Sequence, residues 1–352
     1  MFNQIVLLCR PGFEKECAGE IIELANQHQF PAYIQTNEQS GYVFLIISNQ
    51  QPGTELFSVI DFQQLIFTRQ WFACNKEAIT LPETNRLPGI LKVVNQFNVK
   101  IYDVEFDYAD TNEGKSLSKF CKQFKPHLLT ALKKNHLLSA HANSRLHLFF
   151  IDSQHVYIGI TPVENSASDA MGIPRLKMPG AAPSRSTLKL EEAIHWFLST
   201  KQQADLFGSG MKAVDLGAAP GGWTWQLVQR GCLVTAIDNG PMQEALMKTG
   251  MVEHIKTDAF TYAPAKNVDW LVCDMAERPL HVSRLIARWF TSKQCTNAIF
   301  NLKLPMKKRL ASVQECLNLL HKSLSQAKIN HHIQAKQLYH DREEITVCIL
   351  CS

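Results

Sequence analysis

The stretch Val214-Asp215-Leu216-Gly217-Ala218-Ala219-Pro220-Gly221-Gly222-Trp223 runs from an apolar strand through an acid and a glycine-rich turn into the start of a helix. In an α/β sheet such a turn sits at the carboxyl end of a strand, where ligands bind. Gly217 lets a ligand approach the backbone, and Gly221 and Gly222 open the helix without Cβ bulk. The spacing differs from G-x-G-x-x-G, the turn that cradles a dinucleotide pyrophosphate, which disfavours a nicotinamide dehydrogenase. Three more acids close successive strands downstream. Asp238, about 20 residues on, suits the two ribose hydroxyls of a nucleoside cofactor. Asp258 follows the next strand, where its carboxylate can accept from an adenine amino group, and Asp274 ends Leu271-Val272-Cys273 at the mouth of the sheet. Singly, each acid reads as a cap or loop residue; together, acidic ends on consecutive strands read as a nucleoside site.

The D-x-G-x-x-x-G-G turn resembles the nucleoside and methionine pocket of S-adenosylmethionine-dependent methyltransferases. A second set of residues comprises Lys189 in Ser186-Thr187-Leu188-Lys189, Asp274, Lys303 in Phe300-Asn301-Leu302-Lys303-Leu304-Pro305, and Glu344 in Asp341-Arg342-Glu343-Glu344-Ile345. In type, order and element context it resembles the K-D-K-E tetrad of RNA ribose 2′-O-methyltransferases. Arg10-Pro11-Gly12-Phe13-Glu14, Thr68-Arg69-Gln70-Trp71-Phe72, Met171-Gly172-Ile173-Pro174-Arg175 and Leu338-Tyr339-His340-Asp341 extend the likeness over nearly the whole chain. The chain is in this respect similar to the RlmM family of bacterial enzymes, within the FtsJ-like superfamily. The resemblance implies an N-terminal RNA-binding region containing a THUMP domain, of α+β type, and a C-terminal Rossmann-like methyltransferase with a central, mostly parallel sheet. It implies S-adenosylmethionine as cofactor, contacted by Ser186, Gly217, Ala219, Pro220, Gly221, Gly222, Trp223, Asp238, Asp258 and Asp274. The implied reaction is 2′-O-methylation of a cytidine ribose in the peptidyl-transferase loop of 23S rRNA.

A ribose 2′-hydroxyl is a poor nucleophile and must lose its proton as it attacks a methyl carbon, so a base is required. A lysine near its reference pKa of about 10.4 is almost fully protonated at pH 7, and neighbouring cations or desolvation lower it toward roughly 7 to 8. Lys303 is the expected base, with Lys189 nearby to depress its pKa and orient the ribose. Asp274 and Glu344 are expected to position the lysines, although carboxylates also raise a lysine's pKa, and the sequence leaves open which influence wins. It also leaves open Glu343 or Glu344, since only one of two neighbours in an alternating strand faces the site; Glu344 is preferred because it directly precedes Ile345-Thr346-Val347. Rival chemistries fit less well. The Asn- or Asp-Pro-Pro-aromatic run in which nucleobase amino methyltransferases resemble one another is replaced by Cys273-Asp274-Met275-Ala276. Cytosine C5 methylation needs a nucleophilic thiolate, and Cys273 lacks a Pro-Cys or Thr-Cys context. A non-catalytic rRNA-binding assembly factor has no need of both lysines.

The elements that must carry these residues alternate in the second half. Strands are expected at 213–216, 233–237, 254–256, 270–274, 297–303 and Glu344–Cys351, with helices at 186–198, 223–230, 243–248, 279–290 and 311–325, Ser186 or Thr187 capping the first. That alternation argues for a parallel sheet with helices on both faces. The first half mixes strands at 5–9, 42–47 and 99–106 with a helix at 12–27, helix plus loop at 56–69, and a hairpin of 146–151 with 156–160. In 99–106, Tyr102, Val104 and Phe106 form the expected inward face. Lys115, Lys119, Lys122 and Lys125 fall opposite Leu117, Phe120, Cys121 and Phe124 on one helix, and a second helix is expected to begin at Pro126. With Arg175, Lys177, Arg185, Lys307 and Lys308, these lysines are candidates for RNA phosphates, against the plainer reading of solvated faces. Prolines and glycines break every period in 166–184, the expected linker between an N-terminal region, 1–165, and a methyltransferase domain, 185–352.

At 352 residues the chain is about twice the usual domain of roughly 100 to 200. Hydrophobic residues at 45% and charged residues at 19% exclude a disordered chain. The net charge of +4 means that a polyanion must be met by a local basic patch. Of ten cysteines only Cys348 and Cys351 show C-x-x-C spacing, so reduced thiols are expected and no metal site. No basic region precedes an apolar run at 1–10, and no apolar stretch approaches the roughly 20 residues that span a bilayer. The expectation is a soluble cytoplasmic monomer, without membrane attachment or an obligate protein partner, acting on 23S rRNA or its protein-poor precursor.

Overall fold

The computed structural model describes residues 2–48 and 52–351. Met1, where the stretch read for a leader begins, lies outside them, as do 49–51 and Ser352. Two compact units result, Met1–Pro174 and Arg175–Ser352.

The first unit contains strands β1 (Gln4–Cys9), β2 (Ala32–Thr36), β3 (Tyr42–Ile47), β4 (Thr68–Cys74), β5 (Ile79–Thr80), β6 (Ile101–Asp107), β7 (Ser144–Phe150) and β8 (His155–Pro162), with helices α1 (Glu14–Gln27), α2 (Leu87–Gln96), α3 (Asn112–Ser116) and α4 (Ser118–Lys134). The sheet runs β2-β3-β1-β4-β8-β7-β6, with β5 also on β8. Only β6 and β7 pair in parallel among these strands. β1 and β4 are buried throughout, β1 through its near-continuous apolar run and β4 with Thr68, Arg69 and Gln70 buried beside Trp71 and Phe72. The buried Glu20 carboxylate of α1 accepts from the backbone N–H groups of Ile66, Phe67 and Thr68 at 2.7, 3.0 and 2.9 Å, fixing the helix at the start of β4.

Three expectations are corrected here. The helix expected within 56–69 is two 3₁₀ turns, Gly53–Ser58 and Phe62–Gln64, followed by β4, whose pairing with β1 overrides local helical spacing. Tyr102 faces outward at 48% exposure while Ile101 is buried, because the β6–β7 register shifts between Ile101 and Asp103. Pro126 starts no new helix but lies inside α4. It deprives the Lys122 carbonyl of its helical partner, and both residues are exposed, so water can serve instead.

The second unit contains α5 (Thr187–Phe197), α6 (Thr200–Leu206), β9 (Lys212–Leu216), α7 (Gly222–Gln229), β10 (Leu233–Ile237), α8 (Glu244–Met247), β11 (Val252–Ile255), β12 (Val268–Cys273), α9 (Pro279–Thr291), β13 (Cys295–Lys303), α10 (Arg309–Gln326), β14 (His331–Lys336) and β15 (Glu344–Cys351). Sheet order is β11-β10-β9-β12-β13-β15-β14. Five strands are parallel, and β15 and β14 add antiparallel. This is a mostly parallel Rossmann-like sheet. Chain order reverses beside β9, so a crevice opens beyond the carboxyl ends of β9 and β12. The core beneath it includes Trp270, fully buried and stacked on Phe207 at 4.8 Å, with its indole N–H donated to the Leu206 carbonyl at 2.7 Å. Ser186 supplies no side-chain cap to α5. The ten cysteines are all free, Cys348 and Cys351 included. Among the described residues no helix is long and apolar enough to cross a membrane.

Candidate active site

β9 delivers Asp215 into the interior, where its carboxylate accepts from Thr224 Oγ1 of α7 at 2.6 Å. Burial, aided by the Asp274 and Asp238 carboxylates, pushes Asp215 up to about 7. Gly217 (φ +77°) and Gly221 (φ +114°) take left-handed conformations that side chains resist. At Gly222 the constraint is spatial: a Cβ would lie 2.2 Å from Ser186 Oγ. Thr187 Oγ1 donates to the Gly222 carbonyl at 3.1 Å, so the starts of α5 and α7 are locked together. Beyond β10, the Asp238 carboxylate accepts from the N–H groups of Ala219 (3.0 Å) and Gly240 (2.7 Å), which ties that acid to the glycine turn.

A cleft of about 400 Å³ opens here, lined by Ser184, Arg185, Ser186, Gly217, Ala218, Ala219, Pro220, Trp223 and Asp274. The Trp223 indole N–H is buried without a hydrogen-bond partner among the described residues. A polar, nucleoside-bearing ligand fits this chemistry: backbone groups in a glycine turn, an oriented carboxylate and an unsatisfied donor in one concavity. Asp258 is placed differently. It is exposed after β11, and its carboxylate accepts from the Phe260 N–H at 2.9 Å.

Lys189, Asp274, Lys303 and Glu344 converge at the same sheet edge. Lys189 comes from the first turn of α5 and Asp274 follows β12, while Lys303 and Glu344 are direct partners in the β13–β15 ladder. Lys303 Nζ lies 2.8 Å from Asp274 Oδ1 and also binds Glu344 Oε2; Lys189 Nζ lies 3.3 Å from Asp274 Oδ2 and binds Glu344 Oε1. The charges thus alternate around a closed ring. Burial pulls the Lys303 pKa down, but Asp274 and Glu344 more than offset it, and the net shift is upward. Asp274 moves the other way: burial raises it, and the two lysines hold it below its ordinary value. The carboxylates therefore win the contest that the sequence left open. Glu343 points to solvent and pairs with Arg309 at 2.7 Å.

A buried layer behind the ring was not foreseen. Asn301 Nδ2 donates to Asp274 Oδ1 at 3.1 Å, Thr346 Oγ1 donates to Asn301 Oδ1 at 2.8 Å, and Asp341 Oδ2 lies 3.0 Å from Thr346 Oγ1. Burial, with Glu344 and Glu192 nearby, raises Asp341 well above the carboxylate range. Thr346 and Asn301 thus link Asp341 to Asp274 through one buried polar chain. Glu192 of α5 accepts from the N–H groups of Tyr339 (2.7 Å) and His340 (2.9 Å), anchoring the turn before Glu344. The available signal was strand alternation, since Asn301 and Thr346 stand two residues from Lys303 and Glu344 and share their faces.

The candidate RNA contacts divide. Lys115 sits on α3 and pairs with Asp110 at 3.0 Å, and Lys125 pairs with Glu105 at 3.1 Å. Lys119 and Lys122 are exposed on α4, as are Arg175, Lys177, Arg185, Lys307 and Lys308 in the second unit. Among the described residues no group of three His, Cys, Asp or Glu could hold a metal ion. Cys273 is fully buried, and burial pushes its thiol up to about 12, the wrong direction for a nucleophilic thiolate.

Three family models match the chain. The RlmM ferredoxin-like domain covers residues 2–72, the N-terminal model of ribosomal RNA large subunit methyltransferase M covers 85–162, and the FtsJ-like methyltransferase covers 182–345. The chain is 46% identical over 344 residues to ribosomal RNA large subunit methyltransferase M of Cellvibrio japonicus, with 98% of each chain covered. It is 46% identical over 351 residues to the Yersinia enterocolitica protein of that name, covering 99% of this chain and 95% of that one. The Colwellia psychrerythraea protein of the same name is 45% identical over 354 residues, at 98% and 96% coverage.

Proposed function

The chain belongs to the ribosomal RNA large subunit methyltransferase M family and is an S-adenosylmethionine-dependent rRNA methyltransferase, for which we propose a cytidine ribose 2′-hydroxyl of 23S rRNA as the methyl acceptor and Lys303 as the proton acceptor. The closed ring of Lys189, Asp274, Lys303 and Glu344 beside the glycine cleft carries this reading. When bound, S-adenosylmethionine supplies an electrophilic methyl group on a cationic sulfur. Ser186, the turn from Gly217 to Gly222, Trp223 and Asp238 would hold it, and the exposed Asp258 carboxylate would accept from the adenine amino group.

Lys303 has the reach and the partners to receive a proton, and Lys189 to hold the ribose. With its pKa raised by the two carboxylates, Lys303 is an ammonium in the ring, so it serves as base from its minor neutral form. Lys189 and a cationic sulfur favour that form, while Asp274 and Glu344 oppose it. The carboxylates fix where Nζ stands, and Asn301 fixes Asp274. The buried Cys273 offers no thiolate for attack on a cytosine ring, which favours the ribose over the base.

The cytidine and the peptidyl-transferase loop rest on the family resemblance. An internal ribose must be exposed to enter the cleft, which favours protein-poor precursor rRNA in the cytoplasm, met by a monomer with no obligate protein partner. Lys119, Lys122, Arg175, Lys177, Arg185, Lys307 and Lys308 would bind its phosphates, and the first unit would act as the THUMP-containing RNA-binding region. Alkaline hydrolysis of 23S rRNA methylated with labelled S-adenosylmethionine tests the acceptor. A 2′-O-methyl leaves label in a cleavage-resistant dinucleotide, whereas label released in a mononucleotide would refute the ribose.

A further inference from the structure

Met306 is 93% exposed, a solvent exposure far above that of Tyr33 (53%) or Tyr102 (48%). It stands three residues beyond Lys303 in the loop Leu304-Pro305-Met306-Lys307-Lys308 that joins β13 to α10. Three residues of extended chain span at most about 11 Å, so the Met306 backbone cannot be far from the candidate base. The loop is anchored at both ends. Leu304 is buried and donates its N–H to the Glu343 carbonyl at 2.7 Å, and Arg309 pairs with the Glu343 carboxylate at 2.7 Å. Between the anchors Pro305 to Lys308 are exposed, and no ion pair holds Lys307 or Lys308 among the described residues. An unbranched apolar side chain is thus presented to solvent between a rigidifying proline and two free cations, on a fixed base beside the site.

We propose that Met306 is a wedge that enters the base stack of the rRNA next to the target nucleotide, while Lys307 and Lys308 take the flanking phosphates, so that the target ribose is held out toward Lys303. The inference rests on the ribose reading above and adds how that ribose is extracted. Stacked bases keep an internal ribose from a concave site, and an apolar side chain inserted at a base step unstacks it, with nearby cations offsetting phosphate repulsion. The charge of the loop matches RNA, and a solvated lysine loop alone would give no reason for the methionine at its tip.

The test compares Met306→Ala, Met306→Leu and Met306→Lys in the full chain, measuring kcat and KM on unmodified 23S rRNA, S-adenosylmethionine affinity and Tm. The wedge predicts that Met306→Ala loses about ten-fold in kcat/KM for rRNA, with cofactor affinity and Tm unchanged. Met306→Leu recovers most of that loss and Met306→Lys does not. Wild-type kcat/KM in Met306→Ala, or Met306→Lys matching Met306→Leu, would overturn the proposal, the second outcome assigning the loop to charge alone. The position of label in the wild-type product scores the ribose reading independently, so the two can fail separately.

Discussion

As the proposed base, Lys303 would tie the rate to pH. Its folded pKa lies above the ordinary lysine value, so its neutral form grows with pH throughout the range in which rRNA can be handled. The methylation rate at saturating cofactor is accordingly expected to climb from pH 7 to pH 9 without a plateau, by close to ten-fold per unit while chemistry limits. A plateau near pH 7 in single-turnover rates would mean that bound ligands reverse the upward shift. Asn301 acts one bond further back. Loss of a hydrogen bond to a charged group costs roughly 1.5 to 3 kcal/mol, so Asn301→Ala should lower kcat about ten- to a hundred-fold through a mispositioned Asp274, with S-adenosylmethionine affinity kept. Thr346→Val should do the same to a lesser degree and Thr346→Ser should not, as titration calorimetry beside kinetics will show. The acids at Asp238 and Asp274 were legible in sequence because each closes an apolar run. Asn301 and Thr346 were not, because a polar residue inside a strand declares its face only once its neighbours' faces are known.

The elements that hold these residues depend on close backbone approach. Gly222 lets the first turns of α5 and α7 meet, and a methyl group there would fall 2.2 Å from Ser186 Oγ and 2.5 Å from Ser184 Oγ. Gly222→Ala is expected to force the helices apart, at about 1 to 3 kcal/mol in stability, and to weaken cofactor binding because Ser186 lines the cleft. Urea unfolding and calorimetry would check both; unchanged values would mean that the two serines rotate away freely. At this scale the β9 turn and the alternation of strands and helices were readable from periodicity. The pairing of Lys303 with Glu344 was not, since antiparallel β15 enters beside β13 from the far end of the chain. β14 escaped notice because His331, His332 and Gln334 interrupt its pattern, as suits a strand at the sheet edge. Pro126 misled in the opposite direction, a helix-starting residue tolerated inside α4 where the freed carbonyl faces water.

For the molecule as a whole, a net charge of +4 leaves RNA affinity to particular lysines. Lys119 and Lys122 are free of ion pairs among the described residues, whereas Lys125 is already committed to Glu105. Single-stranded contacts lose counterions at roughly 0.7 per phosphate, so Lys119→Ala and Lys122→Ala should each flatten the salt dependence of rRNA binding by about that amount, and Lys125→Ala by less. Equal slopes for all three would return α4 to an ordinary solvated helix. The proline- and glycine-rich interval 166–184 carries no hydrophobic period, and the two compact units divide after Pro174.

The most direct measurement is single-turnover methyl transfer from labelled S-adenosylmethionine to unmodified 23S rRNA by the wild-type chain and by Lys303→Ala, with alkaline hydrolysis of the product. The ring geometry predicts label in the cleavage-resistant dinucleotide for the wild type and a loss of about a hundred-fold or more in Lys303→Ala, with cofactor still bound. Near wild-type rates in Lys303→Ala, or label on a base, would contradict it.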